Sequence, residues 1–232
     1  MMRRSNVTVA ALCGSLRRGS LNLALLRAAR ELVPPRMTIA IMPIGTLPFF
    51  NSDIARADEP ESVATLKRAI GACDALLIAT PEYNSGIPGV LKNAIDWASQ
   101  PLDESVLAGK PTAVMGCTTG HSGTIRAQLQ LRQTLQYTQA HALPAPELLV
   151  SHAHSKFDAA GRLTDAQTLE AVKRVLLQLR EWTLRLQRAG LAVPGSGTSL
   201  TTDRMPMERL GGGHRVSTPA RLTAGSLSAR RV

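Results

Sequence analysis

The sequence predicts an α/β domain in which a five-stranded parallel sheet is covered by helices on both faces. Short apolar runs of strand length alternate along the chain with longer segments of helical period. These apolar runs are continuous, as is typical of strands that are buried on both faces. A length of 232 residues with a hydrophobic share of 44% is sufficient for one sizeable core.

The first half of the chain contains two predicted strand–helix units. The first strand covers residues 7–13, and the helix after it ends at Pro34 and Pro35 because proline cannot continue a helix. Its buried face repeats at intervals of three and four residues: Leu21, Ala24, Leu25, Ala28 and Leu32. The second strand covers residues 37–42, and a long loop follows from residue 43 to about residue 58. The next helix has an apolar face formed by Val63, Leu66 and Ile70.

Three more strands and three more helices complete the predicted pattern. The strands lie at residues 75–79, at residues 112–117 and near residues 147–151. The helices begin at Pro88, near residue 124 and at Thr164, where Thr164 and Gln167 have the spacing of a capping box. The last helix ends at Gly190, and its apolar stripe comprises Leu169, Val172, Leu176, Leu179 and Leu186.

We predict one folded domain, residues 1–189, followed by a basic C-terminal tail, residues 190–232. The tail consists mainly of Gly, Ser, Thr, Pro, Ala and Arg without sustained periodicity. Its apolar surface is too small to offset the entropy of ordering it, so we predict that it is largely disordered. The formal net charge of the chain is +10. A basic surface attracts anions of many kinds, including phosphorylated cofactors and nucleic acid, without separating them.

Composition also sets expectations about location and metal content. No apolar stretch reaches the roughly 18 residues that a membrane span requires. The three cysteines have no metal-ligand spacing, and an odd number fits a reducing compartment, so we expect a cytoplasmic protein. His152 and His154 would share one face of a strand, but no third ligand follows at regular spacing, and we predict no metal site. We interpret His121 as a solvated loop residue, with protonation of an acceptor as the alternative.

The loop after the first strand has the character of an anion-binding site. Successive backbone N–H groups and the positive end of the next helix can together bind an anion. The side chains of Ser15, Ser20 and Asn22 add neutral donors, and Arg17 can add a charge-assisted hydrogen bond. The loop is neither a Walker sequence nor Gly-x-Gly-x-x-Gly. The alternative interpretation is that Ser20 only caps the helix and Arg17 is solvated.

Two further loops follow the third and fourth strands. In an open α/β sheet, ligands bind beyond the carboxyl ends of the strands where the winding direction reverses. Residues 81–89 place Tyr83 beside amide and carboxylate side chains, which suits the edge of a flat heterocycle. An ordinary turn in which Tyr83 covers the core is the alternative. Residues 118–123 are mostly small, which permits close approach of the backbone.

Together these loops resemble the NADPH-dependent FMN reductase family, and within it the chromate and quinone (azo) reductase branch. The resemblance covers about residues 6–185 and rests on three motifs. The first motif is Gly14-Ser15-Leu16-Arg17 with Ser20 and Asn22. The second is Pro81-Glu82-Tyr83-Asn84, continued by Pro88-Gly89 and residues 91–97. The third is Leu107-Ala108-Gly109-Lys110-Pro111.

The resemblance implies a flavodoxin-like three-layer sandwich that binds FMN, with NADPH or NADH as reductant. On this basis Ser15, Arg17, Ser20 and Asn22 would hold the FMN phosphate. Glu82, Tyr83, Asn84 and Ser85 would line the isoalloxazine ring, with Thr118, Thr119 and Gly120 on its pyrimidine side. Leu16, Leu21 and Pro81 complete the expected cofactor-binding set.

The implied activity is electron transfer from NAD(P)H through FMN to a small acceptor such as a quinone, an azo compound or chromate. We assign no catalytic acid or base, because hydride transfer to a flavin requires none. The family assembles as homodimers or homotetramers, and relatives place an intersubunit polar network at Arg126 and Glu147. This chain has Leu129 where a tyrosine is expected and Gln100 where an arginine is often found.

Two other functions fit parts of the same sequence. A flavodoxin-like one-electron carrier would share the fold, but such carriers are usually acidic, whereas this chain is basic. A partner-binding or nucleic-acid-binding protein could act through the arginine-containing tail. The tail has no aromatic residue to stack on bases, so we do not expect nucleic-acid binding. NAD(P)H oxidation by the purified protein separates the enzyme from the carrier.

Overall fold

We describe the fold from a computed structural model, which describes residues 6–57, 59–192 and 195. The strands are β1 (Val7–Cys13), β2 (Met37–Met42), β3 (Ala75–Ala79), β4 (Pro111–Cys117), β5 (His141–Ala142) and β6 (Leu148–Val150). The α-helices are α1 (Leu21–Glu31), α2 (Ser52–Ala57), α3 (Glu61–Ala72), α4 (Gly89–Ala98), α5 (Ile125–Tyr137) and α6 (Ala166–Arg188). No α-helix in this part of the chain is both long enough and apolar enough to span a membrane.

All strand pairings between the named strands are parallel, and the strands lie in the order β2-β1-β3-β4-β5. The short strand β6 also pairs with β4, further along the same edge than β5. The fifth position of the predicted sheet is therefore occupied by two short segments. Sequence periodicity located only β6, because β5 is two residues long and is too short to show a pattern.

Helices cover both faces of the sheet and produce two separate apolar cores. On β1, Val7, Val9 and Ala11 contribute to the core beneath α1 and α6, whereas Ala10 and Leu12 contribute to the core beneath α3, α4 and α5. This alternation follows from the two-residue period of a strand. Because both faces are buried, the strands are mostly apolar, and the predicted flavodoxin-like three-layer α/β sandwich is confirmed.

Two local predictions are wrong. The long loop after β2 contains the short helix α2, whose start is fixed by Asn51, since its Oδ1 accepts a hydrogen bond from Asp53 N at 2.9 Å. The last helix is capped by Asp165 in place of the predicted Thr164. The carboxylate of Asp165 accepts from Thr168 N at 2.9 Å, so the capping box with Gln167 does not form.

The strand order places the reversal of winding between β1 and β3. The connection from β1 runs outward to β2, and the next strand of the chain, β3, pairs on the opposite side of β1. In this topology the ligand crevice lies outside the carboxyl ends of those two central strands. The loops at residues 14–20 and 80–88 leave the sheet at this crevice.

At the amino ends of the central strands β1 and β3, Asp74 binds residues from both ends of the domain. Its buried carboxylate accepts hydrogen bonds from Thr8 N at 2.7 Å, Gln187 Nε2 at 2.9 Å and Gly195 N at 2.8 Å. A Cβ atom at Gly195 would lie 2.2 Å from the carbonyl oxygen of Ala72, so a larger residue does not fit there. The rest of the predicted tail, residues 193–194 and 196–232, lies outside the described residues.

We expect truncation after Ala192 to lower the free energy of unfolding by about 1–3 kcal/mol relative to truncation after Gly195, because it removes a donor from the buried Asp74 carboxylate. Urea unfolding of the two truncated proteins measures the difference. The protein that ends at Gly195 is the control, since it keeps the hydrogen bond from Gly195 N to Asp74. Identical unfolding curves for the two proteins would show that the Gly195 contact contributes nothing.

Candidate functional site

The loop at residues 14–20 presents a group of main-chain donors at the start of α1. The backbone N–H groups of Leu16, Arg18, Gly19, Leu21 and Asn22 have no acceptor among the described residues. The first N–H groups of a helix have no partner within the helix, and they carry the positive end of its dipole. This arrangement can receive an anion, as the sequence predicted for this loop.

Side chains of the same loop hold its shape. Ser20 is the N-cap of α1, and its Oγ accepts a hydrogen bond from Leu23 N at 3.1 Å. Ser15 Oγ accepts from Arg17 N at 3.4 Å and lies 3.3 Å from Tyr83 Oη. The side chain of Arg17 is exposed at the rim of the loop. Ser20 therefore has the structural role of the alternative interpretation, and its Oγ also lies 3.8 Å from the Sγ of Cys13.

Asn22 joins this loop to the end of β4. Its Nδ2 donates to the carbonyl oxygen of Cys117 at 2.9 Å, and its Oδ1 accepts from Cys117 N at 3.0 Å. The side chain is buried, and both ends of its amide are used. We expected Asn22 to contact the phosphate directly, but in this structure it connects two loops of the site.

Residues 83–86 form a tight turn at the end of β3. Tyr83 and Gly86 exchange two backbone hydrogen bonds of 3.0 Å, and the residues between them, Asn84 and Ser85, have φ values of 50° and 64°. Two consecutive positive φ values define a type I′ turn. The turn is exposed, and the N–H groups of Asn84 and Ser85 have no acceptor in the described part of the chain. These N–H groups can donate hydrogen bonds to the edge of a ligand.

The side chain of Glu82 is directed at α5, and its predicted place beside the flavin ring stays a prediction. Its side chain is only 5% exposed, and its carboxylate accepts from the backbone N–H groups of Arg126 at 2.9 Å and Ala127 at 3.3 Å. It also forms an ion pair with Arg126 Nη2 at 2.7 Å. A carboxylate at a helix N-terminus is stabilised by the helix dipole. In this structure, therefore, Glu82 binds the start of α5.

The third loop, residues 118–123, lies against the segment after β6. Thr118 N donates to the carbonyl of Val150 at 2.9 Å, and Gly120 carbonyl accepts from His152 N at 3.0 Å. The N–H of Thr119 has no acceptor among the described residues, and Gly120 N donates to Thr118 Oγ1 at 3.3 Å. The N–H of His121 likewise has no acceptor among the described residues, so this loop adds further exposed main-chain donors to the site.

Hydrogen bonds connect the three loops to one another. Ser15 contacts Tyr83, Asn22 binds Cys117, and Glu82 Oε1 accepts from Ser122 Oγ at 3.4 Å. Between the first two loops lies an open cleft of about 400 Å³, lined by Gly14, Leu16, Arg17, Tyr83, Pro88, Gly89 and Val90. Free N–H groups beside an apolar and aromatic cleft match a phosphate joined to a flat ring, so the residues present fit FMN.

The histidines lie together at the rim of the third loop. The rings of His121 and His152 meet edge to face with centroids 4.5 Å apart, and that of His154 is 6.4 Å from His152. The predicted strand placement of the last two is wrong, because β6 ends at Val150 and His152 has a φ of 49°. Among the described residues, no group of three or more His, Cys, Asp or Glu side chains is placed to hold a metal ion.

Arg126 and Glu147, which the resemblance places in an intersubunit network, each lie near a charged residue of this chain, and the network itself stays a prediction. Arg126 pairs with Glu82, as described above, and Glu147 Oε1 lies 3.6 Å from Arg132 Nε. Leu129, at the expected tyrosine position, is exposed on α5.

Sequence reasoning missed two residues that shape the site. Gln130 on α5 accepts a hydrogen bond from Ile87 N at 2.8 Å through its Oε1. Gly116 leaves room for Thr124, since a Cβ atom there would lie 2.1 Å from Thr124 Oγ1. The glutamine-rich composition of α5 was the only signal in the sequence, and it does not show which glutamine faces the site.

The fold and the loops together define a flavodoxin-like protein whose switch-point crevice suits a phosphorylated flavin. Comparisons with known proteins assign it more closely. The profile of NADPH-dependent FMN reductase matches residues 7–155. An NAD(P)H-dependent FMN reductase of Pseudomonas aeruginosa is 46% identical over 182 residues, which are 78% of this chain and 98% of that protein. The chain belongs to the NADPH-dependent FMN reductase family.

Two further relatives support this assignment. A 2-hydroxy-1,4-benzoquinone reductase of a Burkholderia species is 38% identical over 174 residues, covering 75% of this chain and 94% of that protein. The solved structure of FerB, a flavoenzyme NAD(P)H:(acceptor) oxidoreductase of Paracoccus denitrificans, superposes with a TM-score of 0.72 at 37% identity. That match covers 77% of this chain and 98% of FerB. The predicted family and class of enzyme, an FMN-dependent oxidoreductase, are thereby confirmed.

All three cysteines are buried; Cys13 and Cys117 lie at the carboxyl ends of β1 and β4 beside the site, and Cys73 precedes the amino end of β3. Burial raises the pKa of the Cys117 thiol to about 12, and it raises that of Cys73 to about 11. Burial also raises the pKa of Cys13, partly opposed by hydrogen bonds from the backbone of Ser15 and the side chain of Ser20. Since the thiolate is the reactive form, these positions favour packing over redox catalysis.

We expect all three cysteines of the folded protein to be inert toward a disulfide reagent such as DTNB at pH 8, because they are buried and protonated. The released chromophore measures the reaction directly. The same protein unfolded in guanidinium is the control and should release three equivalents. Rapid modification of Cys13 or Cys117 in the folded protein would restore thiol chemistry as a candidate mechanism.

Proposed function

We propose that this chain oxidises NADPH or NADH and passes the electrons through bound FMN to small quinones. The observation that carries the proposal is the group of unpartnered main-chain N–H groups at residues 16–22, placed at the switch point beside the turn at residues 83–86. Membership of the reductase family supports the same conclusion.

In this proposal the phosphate of FMN lies at the start of α1. The N–H groups of the loop and helix donate to it, the hydroxyls of Ser15 and Ser20 add donors, and Arg17 closes the open side with its charge. Leu16 and Leu21 contribute backbone N–H groups. Several donors of this kind are required, because one helix terminus contributes only about 0.3–1 kcal/mol to binding an anion.

The ring of the flavin would lie against the second and third loops. Pro81 and Tyr83 provide apolar and aromatic surface, and the N–H groups of Asn84, Ser85 and Thr119 face outward as donors. When bound, FMN supplies the two-electron chemistry that links NAD(P)H to the acceptor. Donors near the pyrimidine side of the ring favour the more negative, reduced state, because they are fixed before the charge develops.

Quinones are the acceptor class that the relatives' names support. One is named for 2-hydroxy-1,4-benzoquinone, and others in Pseudomonas putida and Arabidopsis thaliana are named as quinone reductases. Azo compounds and chromate stay predictions of the sequence, as do a cytoplasmic location and a homodimer or homotetramer.

We expect the purified protein, reconstituted with FMN, to show the absorbance of an oxidised flavin that NADPH or NADH bleaches under anaerobic conditions. Addition of 1,4-benzoquinone should restore the absorbance in a one-to-one ratio, since both transfers move two electrons. Sustained NAD(P)H oxidation with quinone distinguishes the enzyme from a one-electron carrier. A protein that stays colourless with excess FMN would end the proposal.

We expect Arg17→Ala to raise the dissociation constant of FMN about tenfold, equivalent to ~1.4 kcal/mol, because it removes one charge-assisted hydrogen bond to the phosphate. Quenching of flavin fluorescence on binding measures the constant. Arg18→Ala is the matched control, since it removes an equal charge from the adjacent exposed position. Equal effects of the two variants would indicate a general charge effect and no specific role for Arg17.

A further inference from the structure

The turn at residues 83–86 is held to α5 at both of its ends. On the entry side, the carboxylate of Glu82 binds the N-terminus of α5 through Arg126 N and Ala127 N. On the exit side, Gln130 Oε1 accepts from Ile87 N at 2.8 Å. The first two turns of α5 therefore support the whole turn.

The side-chain amide of Gln130 lies close to the backbone at the exit side of the turn. A Cβ atom at Gly86 would lie 2.7 Å from Gln130 Oε1, so the amide of Gln130 rests directly against the backbone of the turn. The turn has a conformational free-energy cost, because Asn84 and Ser85 both adopt left-handed backbone conformations that L-residues disfavour. A conformation of this kind persists where surrounding contacts determine it. Gln130 is the side chain that supplies such a contact directly after the turn.

We propose that Gln130 is a positioning residue of the flavin site, which acts by fixing the turn at residues 83–86 to α5. Its carbonyl oxygen sets where the N–H groups of Asn84 and Ser85 stand relative to a bound ring. In this role Gln130 acts through the backbone of Gly86 and Ile87, which its side-chain oxygen contacts. This inference rests on the proposed function, because it concerns the same flavin.

The test compares three variants of the full chain after reconstitution with FMN. Gln130→Ala removes the acceptor, Gln130→Glu keeps an oxygen at the same reach, and Gln136→Ala changes an exposed glutamine further along α5 whose side chain makes no hydrogen bond with the described residues. The measurements are the dissociation constant of FMN, the shape of the bound-flavin spectrum and the reduction potential.

We expect Gln130→Ala to raise the dissociation constant of FMN about threefold to tenfold, as the loss of one hydrogen bond to the turn predicts. The bound-flavin spectrum and the reduction potential should shift with it, while the urea midpoint of the apoprotein stays close to that of the wild type. Gln130→Glu should restore the wild-type values, and Gln136→Ala should not alter them. A purely structural role would move the urea midpoint and leave the spectrum unchanged.

A double-mutant cycle with Gly86→Ala provides a second measurement. The added methyl group meets Gln130 Oε1, so Gly86→Ala alone should weaken FMN binding, and Gln130→Ala should remove that conflict. The two effects should therefore sum to more than the effect of the double variant. Wild-type protein that fails to bind FMN refutes the proposed function. If the wild type binds FMN and Gln130→Ala matches it in affinity, spectrum and potential, this inference alone is overturned.

Discussion

Because β1, β3 and β4 are parallel, the three loops that follow them lie at the same end of the sheet. The buried amide of Asn22 joins the loop after β1 to the end of β4. Its two hydrogen bonds with Cys117 satisfy a donor and an acceptor at the point where β4 leaves the sheet. A buried polar group without a partner would be costly, so the two loops stay together as long as the core is intact. The geometry of the site thus depends on the same packing that stabilises the domain.

A division of roles follows among the polar groups of the crevice. The side chains of Asn22, Glu82 and Gln130 are directed at the backbone of neighbouring loops. The groups that remain for a ligand are mostly main-chain N–H groups, with Arg17 at the rim. Main-chain donors held on a rigid sheet are fixed before the ligand arrives, so little ordering has to accompany binding.

The strands of this fold were predictable because each is a continuous apolar run, and β1, β2 and β3 have the predicted bounds. The loops that form the site were also predictable, because their position follows from the order of strands and helices. The roles of individual side chains were not. Glu82 and Asn22 have the residue types of ligand-binding positions. The sequence does not show that their side chains bind backbone groups that lie 44 and 95 positions further along the chain. For the same reason Gln130 was not singled out from the other glutamines of α5.

A site built from backbone donors responds to substitution in a particular way. No substitution other than proline removes an N–H group, so most changes act on the site through the residues that hold its loops. Arg17 is the exception, because it adds a side-chain charge that a substitution can delete. A substitution at the cleft residues Leu16 or Val90 would therefore change the side chains that line the cleft and leave the main-chain donors of the loop in place.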